Sequence, residues 1–296
     1  MQFCEGARLL SQRRVTHATR AQPARRHCQL NFQRPGPIAF QFANFAIHWY
    51  GVFVALGFLA GIWTASRRGL RDNLDPEKIT DAVPWLLLGT LVGARLFHVV
   101  TYWEQDFAQE PITKIFAIRG GGLVFYGGFV GASLATIFYA RWKKIPLWKF
   151  ADALAPSVAL GHAFGRIGCL MTGCCHGKPC SLPWAIRFPE GHETHPVGFD
   201  AVPVHPTQIY EAVLNFGLYL GLAWFYRRKK FPGQVFAMYL IGYALLRAIV
   251  EQFRGDYSAR EYLFQGWVSP GQAMGILAIL AGIILLWKLP RPAQEK

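Results

Sequence analysis

Four ionisable side chains lie well inside long apolar stretches of this sequence: Arg95, Arg166, Arg247 and Glu251. A charged side chain at the centre of a bilayer costs about 2.5–3.5 kcal/mol on insertion scales, so it usually faces a partner or a cavity. Arg247 and Glu251 are four residues apart and can pair on one helix face, whereas Arg95 and Arg166 have no acid at such a spacing. We expect Arg166 and Arg247 to hold an anion, because the planar arginine fork binds phosphate oxygens in pairs. A lipid phosphate is the obvious anion at membrane depth.

Two polar motifs open apolar stretches and add further candidate groups. His48 and Tyr50 flank a tryptophan at the start of the first stretch, and His205, Tyr210 and Glu211 open the fifth. The motif at residues 48–50 is also typical of the aromatic belt at a membrane surface. Both interpretations stay open for it.

Glycines surround Arg166 and one further segment. Gly165 and Gly168 flank the arginine and its neighbour, which gives a lipid head group room to approach the backbone. Residues 120–128 hold five more glycines. They indicate either tight helix packing or a broken helix that lines a cavity.

Four cysteines and a histidine lie within residues 169–180: Cys169, Cys174, Cys175, His176 and Cys180. Their spacing fits a zinc site poorly, since zinc ligands come as pairs two to four residues apart. A disulfide from Cys174 or Cys175 to Cys180 and half-buried free thiols are the other structural interpretations. A catalytic thiolate next to an arginine is the fourth. We predict a structural role and no metal site.

Seven stretches of about 20 mostly apolar residues, each long enough to cross a bilayer as a helix, must position these groups. They are residues 46–65, 81–103, 121–141, 149–170, 207–226, 234–252 and 268–287. The pairs Gly57–Gly61 and Gly89–Gly93 have the spacing of closely packed membrane helices. The fold class predicted is an all-α integral membrane protein with seven transmembrane helices and a small outward-facing loop lobe at 172–205.

Composition supports a membrane protein and excludes other classes. Of the 296 residues, 52% are hydrophobic and 16% are charged, against about a quarter charged in soluble domains. The net charge of +14 does not indicate nucleic-acid binding, because most Lys and Arg residues flank the apolar stretches. We expect a basic extension over residues 1–43, disordered or from an early start codon, a transmembrane domain over 44–290 and a tail over 291–296.

The basic residues also predict an orientation. The first, third and fifth connections and the tail hold fifteen Lys and Arg, whereas the other three connections hold six. The richer side faces the cytoplasm by the positive-inside rule. The N-terminus is then outside and the C-terminus inside.

The motifs, taken in order, resemble the bacterial prolipoprotein diacylglyceryl transferase family from about residue 44 to 288. They are residues 48–51, 122–128, 165–168, 205–211, 242–247 with Glu251 and Arg254, and 269–272. Two features depart from the family pattern. Tyr126 stands where the family has a histidine, and residues 169–174 read Cys-Leu-Met-Thr-Gly-Cys where the family usually reads Asn-Phe-x-Asn-Gly-Glu.

The resemblance implies transfer of the diacylglyceryl group of phosphatidylglycerol to the lipobox cysteine of a preprolipoprotein, without a cofactor or metal. The enzyme would lie in the bacterial inner membrane, in contact with the lipid bilayer and with no nucleic-acid partner. The implied catalytic residues are Arg166, Arg247 and Tyr126. The implied substrate-binding residues are Arg166, Tyr50, His48, Glu251, Arg254, Gly165 and His205, with Arg254 expected nearer to water.

Two alternatives come from other classes. Charges at membrane depth and glycine-broken helices also suit a transporter of an anionic substrate. The departures from the family pattern also suit an inactive homologue that binds phospholipid.

Overall fold

The computed structural model describes residues 38–42, 45–108, 112–116, 122–255 and 270–289. Within these ranges seven helices have 18 residues or more. They are α1 Trp49–Gly69, α2 Pro76–Thr101, α3 Phe125–Trp142, α4 Leu147–Thr172, α5 Thr207–Tyr226, α6 Gln234–Glu251 and α7 Pro270–Lys288. Each overlaps one predicted apolar stretch, so helices at these positions are confirmed. The extension up to residue 37 and the tail lie outside the described residues.

Four of the described helical segments are long and apolar enough to cross a bilayer. They are Trp49–Asp72, Pro76–Thr101, Gln234–Glu251 and Gly271–Lys288. Large apolar side chains point away from the protein on these segments; Trp63 is 58% exposed and Trp287 79%. Such surfaces suit lipid contact. The chain is therefore a helical membrane protein with several spans, and the count of seven stays a prediction.

A β-hairpin precedes α1 and is a small local addition to the predicted all-α fold class. Strand β1 (Ile38–Phe42) pairs antiparallel with strand β2 (Phe45–His48). Both strands are rich in aromatic and branched side chains, which favour extended backbone. Strand β1 also lies within the range assigned to the basic extension, so ordered structure begins before residue 44.

The chain forms two compact units, and the first includes the described residues from Leu74 to Leu147. Glycines of α2 face glycines of α3. A side-chain carbon on Gly89 would lie 2.6 Å from Cβ of Ala135 and 2.7 Å from the carbonyl oxygen of Gly131. The two backbones therefore approach closely, as the spacing Gly89–Gly93 predicts.

Arg95 lies in this first unit and is held by backbone carbonyls. Its Nε donates to the oxygen of Ile115 at 2.7 Å, and its Nη2 to that of Lys114 at 2.7 Å. Its Nη1 donates to the oxygen of Gly122 at 3.2 Å. Gly122 has a φ of +76°, which only glycine adopts readily. The buried charge of Arg95 thus fixes the segment between α2 and α3.

The second unit includes the described residues 38–73 and 148–289. Asp152 connects several segments at one end of this unit. This carboxylate is fully buried. It accepts hydrogen bonds from the backbone N–H groups of Gly233 and Phe236, both at 2.9 Å, and pairs with Lys229 at 3.0 Å. Lys229 also pairs with Asp72. The end of α1, the start of α4 and the segment between α5 and α6 therefore meet at one end of this unit, named here the basic end.

The opposite end of the second unit carries the loop lobe, residues 173–206 between α4 and α5. The N–H of Lys178 donates to the carbonyl of Phe253 just after α6 at 2.8 Å, and Ile186 and Val204 exchange backbone hydrogen bonds. Phe188 is 2% exposed and packs with Ile186 and Val204 in a small apolar core. A compact lobe is present at the predicted position, and its outward orientation stays a prediction.

Candidate functional site

Two half-buried arginines of the second unit meet one buried carboxylate. Nε of Arg166 lies 3.1 Å from Oε2 of Glu211, and Nη1 of Arg247 lies 3.5 Å from the same oxygen. Nη2 of Arg247 also lies 2.8 Å from Oε2 of Glu251. These four residues are named here the arginine cluster. The predicted pair of Arg247 and Glu251 is confirmed, and Arg166 has an acidic partner that its sequence neighbourhood lacks.

The arginine cluster combines residues of three helices: Arg166 comes from α4, Glu211 from α5, and Arg247 and Glu251 from α6. The side chain of Glu211 is 3% exposed, whereas those of Arg166 and Arg247 are 15% and 11% exposed. The carboxylate is thus an inner member of the cluster, and the two arginine side chains are more accessible than it is. This arrangement can present N–H donors to an anion.

Two residues beside the cluster were not predicted as site residues. Nε2 of His162 lies 3.8 Å from Oε1 of Glu211, and its ring lies 5.0 Å from that of Tyr243. Tyr243 interacts electrostatically with Glu211, Arg166, Arg247 and Arg254. His162 and Tyr243 do belong to motifs noted in the sequence, Gly-His-Ala-Phe-Gly-Arg and Gly-Tyr-Ala-Leu-Leu-Arg. Neither motif indicates which side chain turns toward the arginines.

Arg254 corrects one expectation, since it lies deeper than predicted. It is 7% exposed and interacts electrostatically with Arg166. Arg254 lies just after α6, and its backbone forms an isolated antiparallel β-bridge with Gly177 of the loop lobe. The three arginines 166, 247 and 254 and the two glutamates 211 and 251 together carry one net positive charge when His162 is neutral.

Space for a ligand exists along α4 next to Arg166. A side-chain carbon built on Gly161 or Gly165 would meet nothing within 4 Å. These two glycines are four residues apart and share one helix face. A group placed at Gly165 therefore has room beside the arginine, and the part of Gly165 in substrate binding stays a prediction.

The start of α1 reaches the same end of the second unit. A side-chain carbon on Gly168 would lie 3.0 Å from Cδ2 of Tyr50, and Tyr50 interacts electrostatically with Arg166. Tyr50 is 43% exposed, so its ring is accessible. His48 ends β2 and precedes α1 without forming a side-chain cap. The structure thus brings Tyr50 toward Arg166, while the role of His48 stays a prediction.

His205 belongs to the loop lobe. Its Nδ1 lies 3.3 Å from the hydroxyl of Tyr210, and its ring packs 5.2 Å from that of Phe253. Burial, and secondarily the charge of Lys178, lower the pKa of His205 below its usual 6.5. This histidine is therefore neutral at physiological pH and suits a hydrogen-bonding role.

Tyr126 lies on α3 in the first unit and is half-buried. Its proposed part in catalysis rests on the family resemblance alone and stays a prediction.

Of the interpretations left open for the cysteines, half-buried thiols match the structure, and the disulfide to Cys180 is not present among the described residues. Within the described residues Cys169, Cys174, Cys175 and Cys180 form no disulfide, and all four are half-buried. The Sγ atoms of the first three lie within 4.8 Å of one another, and Cys180 is outside this group. The spacing of the cysteines in the sequence did not predict this close grouping of three thiols, which is named here the thiol cluster.

The fold and the site together define a class: a helical membrane protein that gathers arginines and glutamates at one end of its second unit. Comparison with known proteins gives the family. Residues 37–288 match the family described as Prolipoprotein diacylglyceryl transferase. The chain therefore belongs to the prolipoprotein diacylglyceryl transferase family, a family of membrane enzymes, and the resemblance drawn from the motifs is confirmed.

Individual relatives cover nearly the whole chain, and each is named phosphatidylglycerol–prolipoprotein diacylglyceryl transferase. The protein of Synechococcus elongatus is 36% identical over 266 residues, which cover 87% of this chain and 89% of that protein. The protein of Parasynechococcus marenigrum is 35% identical over 274 residues, 89% of this chain and 97% of that protein. The protein of Methylococcus capsulatus is 35% identical over 262 residues, 87% of this chain and 96% of that protein.

Proposed function

We propose that this chain transfers the sn-1,2-diacylglyceryl group of phosphatidylglycerol to the lipobox cysteine of a preprolipoprotein. A thioether forms and glycerol phosphate leaves, in the first step of lipoprotein maturation. The observation that carries the proposal is the convergence of Arg166 and Arg247 on Glu211, at 3.1 and 3.5 Å, in a member of this family. No cofactor is part of the proposed reaction.

The charge of the site suits a phospholipid. A phosphodiester carries a single negative charge, and the arginine cluster with Arg254 carries one net positive charge. Glu211 and Glu251 offset the rest of the arginine charge, so the site without substrate does not bury several unpaired cations. The phosphate would complete the neutralisation when it binds.

The carboxylates also orient the donors. Glu211 pairs with Nε of Arg166 and with Nη1 of Arg247, and Glu251 pairs with Nη2 of Arg247. Guanidinium groups fixed in this way do not need to reorganise as charge develops on the leaving phosphate, which is the condition for strong electrostatic catalysis. Arg254 and Tyr50 are the further candidates to contact or orient the head group.

The reaction requires one bond to form and one to break. The sulfur of the lipobox cysteine attacks the glyceryl carbon that bears the phosphate, and the carbon–oxygen bond to the phosphate breaks. Arg166 and Arg247 stabilise the negative charge that passes to the departing glycerol phosphate. The thiol proton passes to a base; Tyr126, His48 and His205 are the candidates.

The open face of α4 is the proposed place for the head group. Gly161 and Gly165 leave room within the helix turn that precedes Arg166. A bulky head group can therefore reach the guanidinium without displacing a side chain. The acyl chains would extend along the exposed apolar surfaces of the neighbouring helices.

The proposed location is the bacterial inner membrane with the site toward the outer face. The basic end of the second unit holds Asp152 and Lys229 and adjoins the connections rich in Lys and Arg. The arginine cluster and the loop lobe lie at the opposite end. The positive-inside rule places the basic end in the cytoplasm, and exported preprolipoproteins then meet the site on the outer side.

Mass spectrometry of a lipobox peptide tests the proposal. The purified chain is incubated in detergent with phosphatidylglycerol and the peptide, and we expect the mass of the diacylglyceryl adduct on the cysteine. A peptide with serine in place of that cysteine is the control and should remain unmodified. A transporter or an inactive phospholipid-binding homologue would leave both peptides unmodified, and that result would overturn the proposal.

A further inference from the structure

Three cysteine side chains meet where α4 ends. The Sγ atoms of Cys169, Cys174 and Cys175 lie within 4.8 Å of one another, and all three side chains are half-buried. Cys169 comes from the last turn of α4, whereas Cys174 and Cys175 come from the turn that follows it. Cys180, a fourth half-buried cysteine in the same segment, lies outside the cluster. The grouping therefore depends on the path of the backbone and does not follow from cysteine content alone.

The backbone that carries this cluster is held in place from α5. Oγ1 of Thr207 donates to the carbonyl of Cys175, and Nε2 of Gln208 donates to the carbonyl of Cys174, both at 2.7 Å. Thr207 and Gln208 are each 1% exposed. Two buried side chains thus fix the positions from which the thiols project.

Cys175 adopts an unusual backbone conformation. Its φ is +60°, a left-handed value that few residues other than glycine adopt. Gly173, with a φ of +83°, turns the chain just before the pair. Such outliers persist only where the surroundings enforce them, and they occur preferentially at functional sites. Here the outlier directs a third sulfur toward the other two.

The distances suit a metal ion. With metal–sulfur bonds of about 2.3 Å, three sulfurs in a plane around one ion lie about 4.0 Å apart. The Sγ atoms of the thiol cluster lie within 4.8 Å of one another, a range that includes this spacing. Thiolate sulfur is a soft ligand and selects soft cations such as Cu⁺.

We infer that Cys169, Cys174 and Cys175 form a three-thiolate binding site for Cu⁺. Within the described part of the chain the cluster offers three sulfur ligands, which suit the soft cation Cu⁺, whereas a structural zinc site has four protein ligands and a zinc site with three needs water or substrate as the fourth. The nearest histidine in sequence, His176, directs Nε2 to Glu193. Binding of the ion releases the thiol protons to solvent, since metal-bound thiols are deprotonated.

The surrounding charge favours the loaded site. Three thiolates and one Cu⁺ carry two net negative charges, which need a cation nearby. Arg166 interacts electrostatically with Cys169 and Cys175. The guanidinium therefore offsets part of the charge of the loaded cluster. This inference does not depend on the proposed transferase reaction.

A competition titration tests the site. The full-length chain carrying Cys4→Ser and Cys28→Ser, which removes the two cysteines near the N-terminus, is purified in detergent under reducing, oxygen-free conditions. It is titrated with Cu⁺ held by a coloured chelator. We expect one ion per folded chain, and at least about a tenfold loss of affinity in Cys174→Ser and in Cys169→Ser. Cys180→Ser is the matched control and should bind as the parent does.

A second measurement maps the ligands. Alkylation with iodoacetamide should modify Cys180 with and without Cu⁺, while Cys169, Cys174 and Cys175 should be protected only when the ion is bound. Thermal unfolding of each variant checks that lost binding is not lost folding. Absence of Cu⁺ binding by the reduced parent, or equal binding by a folded Cys174→Ser variant, would overturn the inference.

Discussion

Among single residues, Glu211 determines the geometry of the arginine cluster, and it lies far from both arginines in sequence. It is 45 positions after Arg166 and 36 before Arg247. The pair of Arg247 and Glu251 was predictable, because a spacing of four places two side chains on one helix face. The contacts of Glu211 were not, since they depend on how residues of α4, α5 and α6 come together in the fold. Sequence therefore predicts which charges need partners and leaves the long-range partner open.

Substitution of either arginine by lysine should impair transfer without unfolding the protein. A lysine is a point charge and cannot reproduce two parallel N–H donors to a phosphate. Removal of one preorganised donor to a developing charge costs about 10²–10³ in rate. We expect at least that loss for Arg166→Lys and for Arg247→Lys, measured as turnover of a lipobox peptide per folded molecule.

The matched control for these variants is Arg68→Lys. Arg68 is 6% exposed and bonds to Ser157 and to the carbonyl of Ala153, remote from the arginine cluster. Its substitution should reduce thermal stability and leave turnover near normal. Near-normal turnover in Arg166→Lys would remove the phosphate contact from the proposed mechanism.

The close approach of the three sulfur atoms in the thiol cluster was not predicted from the sequence, and the reason is the backbone conformation. Spacing rules assume regular backbone, whereas Gly173 and Cys175 both adopt positive φ values. The turn they form returns Cys174 and Cys175 to Cys169. Gly173 directly after α4 is typical of a helix-ending turn, but it does not indicate where the side chains of Cys174 and Cys175 point.

His205 predicts a pH dependence of stability. Its pKa in the folded protein lies below 6.5, mainly because of burial, so unfolded chains bind this proton at higher pH than folded chains do. The stabilisation it provides is complete above pH 6.5 and is lost as the pH falls toward the pKa of the folded state. Thermal unfolding in detergent should therefore decline less on acidification in His205→Gln than in the parent. Parallel decline in both would contradict this assignment.

At the scale of elements, apolar length proved the most reliable signal. The seven described helices coincide with the seven predicted stretches because about 20 apolar residues in succession can satisfy their backbone in lipid only as a helix. The hairpin of β1 and β2 was missed because strands of four and five residues are too short to stand out. The loop lobe was predicted from its polar composition, but its bonds to the end of α6 were not.

The packing of α2 on α3 should tolerate no added methyl group at Gly89. A new carbon there would lie 2.6 Å from Cβ of Ala135, which forces the helices apart. Overpacking of this kind costs about 1–3 kcal/mol, so Gly89→Ala should lower the unfolding temperature in detergent. Gly221→Ala on α5 is the control, because nothing lies within 4 Å of the added carbon. Equal stability of the two variants would show that the close approach is not required.

At the scale of the whole molecule, the distribution of basic residues predicts the orientation. Fifteen Lys and Arg lie on one side of the predicted spans and six on the other. A reporter that is active only in the periplasm should therefore be silent when fused after Lys296. The same reporter inserted in the loop lobe at Gly198, an exposed position, should be active. The reverse pattern would invert the orientation and place the arginine cluster on the cytoplasmic side.

The two products of a single reaction provide the most direct test of the proposed transfer. Phosphatidylglycerol with a labelled head group is incubated with the purified chain and a lipobox peptide, and the thioether adduct and released glycerol phosphate are measured together. We predict equal molar amounts of both, and neither product when the peptide cysteine is replaced by serine. Release of glycerol phosphate without thioether would indicate lipid hydrolysis, and that result would contradict diacylglyceryl transfer at this site.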